Sequence, residues 1–279
     1  MKKIIKINSF KDYQLNDYKQ IIFFIFAYYM KFNKMRTFVI GDIHGGLLAL
    51  EQVMKKANVT TEDTLIFLGD YVDGWSQSAE VIEYLIDLKS KQNCICIRGN
   101  HDQLALDWLE NRHEEFDEEM WYKHGGKATV EGYAKLSEER KKEHIVFLES
   151  LQDYYHDEQN RLFVHAGFTN LNGVIWEYFP KLFYWDRTLW ESALALDPNL
   201  NPDDLYYPKR FTIYKEIFIG HTPVTRIGQT VPVNKACVWN VDTGAAFKGP
   251  LTIMKVDTKE FWQSDPLDGL YSNEKGRKR

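Results

Sequence analysis

Eight residues in five short clusters are of types that bind metals or move protons. They are Asp42 and His44 in Gly41-Asp42-Ile43-His44-Gly45, and Asp70 and Asp73 in Gly69-Asp70-Tyr71-Val72-Asp73. Asn100 and His101 follow in Arg98-Gly99-Asn100-His101-Asp102, then His165 in Val164-His165-Ala166-Gly167 and His221 in Ile219-Gly220-His221-Thr222. Carboxylate, carboxamide and imidazole together suit borderline divalent cations such as manganese, iron, zinc or nickel. Asp42 and His44 are two residues apart, so both can face one side of an extended segment. A shared carboxylate such as Asp70 can bridge two ions about 3.5–4 Å apart. A single histidine of this kind reads as an ordinary hydrogen-bonded core residue. Five clusters, each at the end of an apolar run, read instead as one site.

The runs that precede the clusters must do the positioning. Thr37–Ile40, Leu65–Leu68, Cys94–Ile97, Leu162–Val164, Glu216–Ile219, Ala236–Val241 and Leu251–Val256 have the length and β-branched content of buried strands. Amphipathic helical patterns, Leu47–Ala57 and Ser78–Lys91, lie between the early runs. Strand–helix–strand alternation predicts an α/β domain with parallel pairing. The late runs follow one another with little helix between them, which predicts a mixed or doubled sheet. In open α/β sheets, sites form at the carboxyl ends of strands, where all five clusters fall. Residues 102–155 read as mostly helical, with acidic, solvated faces and a Gly125-Gly126 break, a segment able to cap the site. Cys94 and Cys96 read as core residues, not ligands.

Composition bounds the function. The chain has 279 residues, 44% apolar and 27% charged, the balance of a globular protein. Three cysteines do not make a disulfide framework and point to a reducing, cytoplasmic compartment. The net charge of -5 argues against nucleic acid as a partner. That charge is uneven, because the first 34 residues carry seven Lys and two Asp. Their apolar run Ile21–Met30 is about half the ~20 residues of a membrane-spanning helix, so no stable span is expected. We expect residues 1–34 to lie outside the catalytic domain, with Met35 a candidate start, and the basic tail Lys275–Arg279 to be a frayed terminus.

The ordered set Gly-Asp-Ile-His-Gly, Gly-Asp-Tyr-Val-Asp, Arg-Gly-Asn-His-Asp, His-Ala-Gly and Gly-His-Thr-Pro resembles the phosphoprotein phosphatase branch of the calcineurin-like metallophosphoesterases, in particular bacterial serine/threonine protein phosphatases. The segments Trp121–Thr129 and Asn240–Ala246 are similar to segments of bacterial members, including the diadenosine tetraphosphatases. The resemblance implies a four-layer α-β-β-α metallophosphoesterase sandwich over about residues 35–260, with a helical, cap-like insertion at 102–155 and a tail at 261–279. It implies two divalent metal ions, one held by Asp42, His44 and Asp70, the other by Asp70, Asn100, His165 and His221. By the same resemblance His101 donates a proton to the leaving group and Asp73 orients it. Arg98, Arg187 and Asn100 would bind substrate phosphate.

One position departs from the family pattern. Gly-Asp-x-Val-Asp usually continues Arg-Gly, whereas Asp73 here is followed by Gly74-Trp75. A phosphate clamp is therefore missing, and Trp75 is expected either to shape a leaving-group pocket or to pack on the helix Ser78–Lys91. The leading expectation is hydrolysis of phosphomonoesters on a phosphorylated protein or a small phosphoester. The alternative is symmetrical diadenosine tetraphosphate hydrolysis, and a phosphodiesterase or a non-catalytic metal-binding scaffold follows. A scaffold would have no need of His101 and Asp73.

Overall fold

The structure is a computed structural model that describes residues 36–112 and 117–277. The segment 1–34 lies outside the described residues. Among the described residues, ten strands make two sheets. They are β1 (Thr37–Ile40), β2 (Thr64–Phe67), β3 (Cys94–Cys96), β4 (Tyr154–His156) and β5 (Arg161–Val164). Then come β6 (Glu216–Ile219), β7 (Val233–Lys235), β8 (Val238–Asn240), β9 (Thr252–Lys255) and β10 (Phe261–Gln263). The first sheet has the order β10-β9-β1-β2-β3 and the second β4-β5-β6-β8-β7. Both are mixed. β1, β2 and β3 run parallel, with β9 antiparallel to β1. β5, β6 and β8 run parallel, with β4 and β7 antiparallel at the edges.

The two-residue period of a strand sorts the apolar side chains into layers. Phe38 and Ile40 of β1 point one way with Leu65, Phe67, Cys94 and Cys96. They pack against the helices α1 (Leu47–Lys56) and α2 (Ser78–Lys91) through Ala49, Leu50 and Val53 of the first and Val81, Ile82 and Leu85 of the second. Those positions recur at three- and four-residue spacing, the stripe of an amphipathic helix. The intervening residues Val39, Ile66 and Ile95 point the other way and meet Phe163 and Phe218 of the second sheet. The outer face of that sheet, with Leu162, Val164, Ile217, Ile219 and Val238, is covered by Phe168, Leu189 and Trp190. The order is helix, sheet, sheet, helix, as the resemblance implies. Both cysteines of β3 face the helix-side core, so neither is a ligand.

Residues 102–155 are mostly helical where described, and they run into β4 at their end. They hold most of α3 (Asn100–Leu109), short turns at 118–126, α4 (Lys127–Tyr133) and α5 (Glu138–Glu149). Of the expected tail, residues 261–277 are described, and they are held to the domain. Phe261–Gln263 is the edge strand β10, paired to β9, and Ser76 donates its N–H to Glu274 at 2.9 Å. No helix among the described residues is long and apolar enough to cross a membrane.

Candidate metal centre

Each cluster follows the carboxyl end of its strand. Asp42 and His44 follow β1, Asp70 and Asp73 follow β2, and Asn100 and His101 form the first turn of α3 after β3. His165 follows β5 and His221 follows β6, so the second sheet contributes across the sandwich. All six expected ligands are buried. Asp70 stands between two groups: Oδ2 lies 3.4 Å from Nε2 of His44, and Oδ1 lies 3.4 Å from Nε2 of His165. Asp42 Oδ2 lies 3.9 Å from the same His44 nitrogen. Asn100 Oδ1 is 2.9 Å from Nδ1 of His221 and 3.3 Å from Nε2 of His165.

The backbone aims these side chains at some cost. His44, Asp70, Asp73 and His221 have φ of 52, 53, 71 and 66°, the left-handed region that side chains other than glycine avoid. Such strain persists only where surrounding bonds impose it, and it gathers at functional sites. Asp102, to which the sequence reading gave no role, imposes it at Asp70. Its carboxylate accepts the backbone N–H of Asp70, Tyr71 and Gly99, each at 2.8 Å, and so ties the loop after β2 to the loop after β3. Gly220 makes room at the centre, because a Cβ there would fall 2.0 Å from Asp42 Oδ1.

The electrostatics suit cations. Burial pushes the Asp42 carboxyl up, and the neighbouring Asp242 pushes it further. Burial would raise Asp70 too, but the charges of His165 and His101 outweigh it and hold the carboxyl well below its usual range. Burial holds His44 and His221 well below the usual imidazole value, so both are neutral donors. Nδ1 of His44 donates to the Val72 carbonyl at 3.1 Å and Nδ1 of His165 to the Leu68 carbonyl at 2.8 Å. These bonds fix the tautomers and leave each Nε2 facing the carboxylates. Two buried polar atoms, Asp42 Oδ1 and His221 Nε2, have no hydrogen-bond partner. Orphaned donor atoms in a buried set of oxygen and nitrogen ligands are what divalent cations satisfy.

His101 and Asp73 form a second unit at the edge of this cluster. His101 Nδ1 lies 2.5 Å from Asp73 Oδ2. That oxygen also accepts Trp121 Nε1 at 2.6 Å, and Asp73 Oδ1 accepts Thr129 Oγ1 at 2.6 Å. The segment Trp121–Thr129 thus locks the carboxylate that locks the imidazole. The remaining nitrogen, Nε2, is the one free to serve a substrate.

A cavity opens on His44, Asp70, Asn100, His101 and His221. Arg187 lines it, its Nη1 donating to Thr222 Oγ1 at 2.8 Å. Arg98 is placed otherwise. Its guanidinium donates to Gln103 Oε1 at 2.8 Å and to the Leu151 carbonyl at 3.2 Å, and its Nε lies 3.4 Å from Asp153. It lies outside the cavity lining and joins the helical segment to β3, the opposite of a free clamp. Trp75 also stays out of the cavity. It is fully buried, stacks on Tyr271 at 5.1 Å and donates Nε1 to the Ala245 carbonyl at 2.7 Å. The sequence reading missed Asp242, Arg226 and Arg277, all in the lining. Asp242 had a signal, since it sits in the singled-out segment Asn240–Ala246. Burial raises its carboxyl to about 6. Burial lowers the Arg187 guanidinium, and the like charges of Arg226 and Arg277 lower it further.

Comparison with known proteins bears on this geometry. The sequence model of calcineurin-like phosphoesterases matches residues 35–246. The bis(5'-nucleosyl)-tetraphosphatase PrpE (asymmetrical) of Oceanobacillus iheyensis is 26% identical over 246 residues, covering 81% of this chain and 91% of that protein. A solved structure provisionally named a diadenosine tetraphosphatase has a TM-score of 0.56 at 17% identity, covering 82% of this chain and 92% of that one. A protein serine/threonine phosphatase from Saccharomyces cerevisiae gives 0.51 at 15% identity, covering 83% and 80%. At such identities the structural likeness speaks for the fold alone.

Proposed function

The chain belongs to the calcineurin-like phosphoesterase family, and from that premise we propose that it hydrolyses bis(5'-nucleosyl) tetraphosphates asymmetrically. The carrying observation is the cavity beside the ligand cluster. Arg187 and Arg226 face it together, although each repels the other. Like charges held close favour a ligand with several negative charges in a row, a chain of phosphates. Leu104, Met120, Trp121, Trp185 and Phe247 share the same lining and offer apolar and aromatic surface to a base. The similarity to PrpE, named for this activity, supports the reading. The protein phosphatase expectation is supported by likeness of fold only.

The residues divide the work as follows. Asp42, His44 and Asp70 would hold one divalent cation, manganese by preference, and Asp70, Asn100, His165 and His221 the other. Cations bound there supply Lewis acidity to phosphoryl oxygens and lower the pKa of the attacking water. Arg187 and Arg226 hold neighbouring phosphates in register. Water attacks phosphorus, and the bridging P–O bond next to one nucleotide breaks. The water oxygen stays on one product and the bridging oxygen on the other, giving a nucleoside monophosphate and a triphosphate. His101, oriented by Asp73 through Nδ1, supplies the proton for the departing oxygen from Nε2.

The test compares diadenosine tetraphosphate with a phosphoserine peptide in manganese buffer, with products resolved by ion-exchange chromatography. AMP and ATP in equal amounts, at a kcat/KM well above that for the peptide, are the expected result. Two ADP would overturn the asymmetric bond choice. A peptide cleaved faster than the dinucleotide would overturn the substrate class.

A further inference from the structure

The loop after β2 carries a gap and the end of the chain fills it. Gly74, at φ 104°, has no side chain, and the aliphatic part of Arg277 passes over it: a Cβ on Gly74 would lie 3.4 Å from Arg277 Cγ. Gly125 flanks the same path from the helical segment, where a Cβ would lie 3.0 Å from that carbon. Beyond this passage the side chain joins the lining of the cavity with His44, Asp70, His101 and Arg187. Its Nε is buried and has no hydrogen-bond partner. A guanidinium with a buried, unpaired N–H beside a phosphoester site is short of an acceptor.

The tail is held so that this residue arrives there. Arg277 donates its backbone N–H to the Ala246 carbonyl at 2.9 Å. Gly276 lies against Trp75, where a Cβ would come within 2.7 Å of the ring. Trp75 is fixed by Tyr271 and by its bond to the Ala245 carbonyl, and Ser76 is bonded to Glu274. The guanidinium rests over the Phe247 ring, 5.3 Å from its centroid. Thus the two residues that depart from the family pattern serve one arrangement. Gly74 leaves the passage open, and Trp75 anchors the segment that uses it.

We propose that Arg277 is a substrate phosphate-binding residue, delivered by the C-terminal segment to the place left open at Gly74. The proposal rests on the phosphoester-hydrolase reading of the site, and it gives the cavity a third guanidinium beside Arg187 and Arg226. A planar fork at this point can take two oxygens of one phosphate.

The test uses the full chain loaded with manganese and reads the inhibition constant of inorganic phosphate, the KM for diadenosine tetraphosphate and the metal content. Arg277→Met should weaken phosphate inhibition and raise KM by about tenfold or more, the loss of one charge-assisted hydrogen bond. Metal content and melting temperature should stay at wild-type values, and Arg277→Lys should recover part of the loss. Lys275→Met, which removes a tail charge outside this cavity, should change neither constant. Wild-type phosphate inhibition in Arg277→Met would overturn the proposal, as would an equal effect of Lys275→Met. If Arg277→Met lowers melting temperature, phosphate binding by calorimetry below the transition decides, and wild-type affinity there overturns it. Phosphate binding is read without any dinucleotide, so a wrong substrate class leaves this result standing, while a wrong Arg277 leaves the substrate class standing.

Discussion

Replacing Asp73 by Asn isolates what the buried carboxylate does for His101. Asp73 is fully buried and accepts three side-chain hydrogen bonds, from His101, Trp121 and Thr129. Asn is nearly the same size. Its carbonyl oxygen can keep the bonds from His101 and Trp121 on the Oδ2 side, and its NH2 can donate to Thr129 Oγ1, a hydroxyl able to accept. The packing therefore survives, and the negative charge is what disappears. A hydrogen bond to a charged group contributes about 1.5–3 kcal/mol and a neutral one about 0.5–1.5, a difference of about 1–2 kcal/mol. If that difference is felt as His101 prepares to give up its proton, kcat falls roughly 5- to 30-fold. KM should hardly move, because Asp73 does not line the cavity. The assay is steady-state hydrolysis of p-nitrophenyl phosphate and of an alkyl phosphate with manganese, with metal content measured in parallel. The loss should be larger for the alkyl ester, whose leaving oxygen needs the proton more. A kcat within twofold of wild type on both esters, with metal bound, would refute the chain of reasoning from Asp73 to His101.

Three further outcomes follow from buried features. Chelation should lower the melting temperature of the wild type, since a ligand held only by the folded state stabilises it by mass action, about 2.7 kcal/mol at one hundred times its dissociation constant. Gly220→Ala, which drives a Cβ onto Asp42 Oδ1, should abolish that chelator effect and reduce bound manganese; an unchanged metal content would refute it. His144 is pushed down to about 4 by burial and by Arg140, against about 6.5 unfolded. The unfolded chain therefore takes up a proton first, so the stability this residue contributes is complete above about pH 6.5 and is lost as pH falls toward 4. His144→Gln should flatten the stability-pH curve in that window relative to wild type, and parallel curves for the two proteins would count against it.

The sequence made the centre of the fold legible because its strands are buried on both faces and read as apolar runs. Thr37–Ile40 and Glu216–Ile219 match the strands residue for residue. The strands it missed, β4, β7 and β10, lie at sheet edges. An edge strand pairs on one side and is half solvated, so Asn234, Lys235 and Gln263 fit there without any apolar pattern. The site divides in the same way. Candidate ligands tied to strand ends were visible from local clusters, because each cluster follows its own strand. Arg226 and Arg277 were not, because they reach the cavity from a loop and from the chain's last segment. Arg98 misled for the converse reason. It sits beside a ligand in sequence, while its fork is turned back to Gln103, Leu151 and Asp153.

The pairing of β1 with β9 has a consequence for how the molecule comes into being. Val39 sits opposite Met254, while the second sheet draws all of its strands from residues 154–240. Contacts so distant along the chain are slow to form, because a long loop must close before any bond rewards it. During synthesis the second sheet can pair among near neighbours, but β1 keeps one edge bare until the residues around 254 emerge. An uncovered edge is a template for joining the wrong partner, so this topology makes the interval before β9 docks the vulnerable stage of the protein's birth. Asp42 and His44 hang from the end of β1, so the strand that positions two of the candidate ligands is the one left half-paired until then.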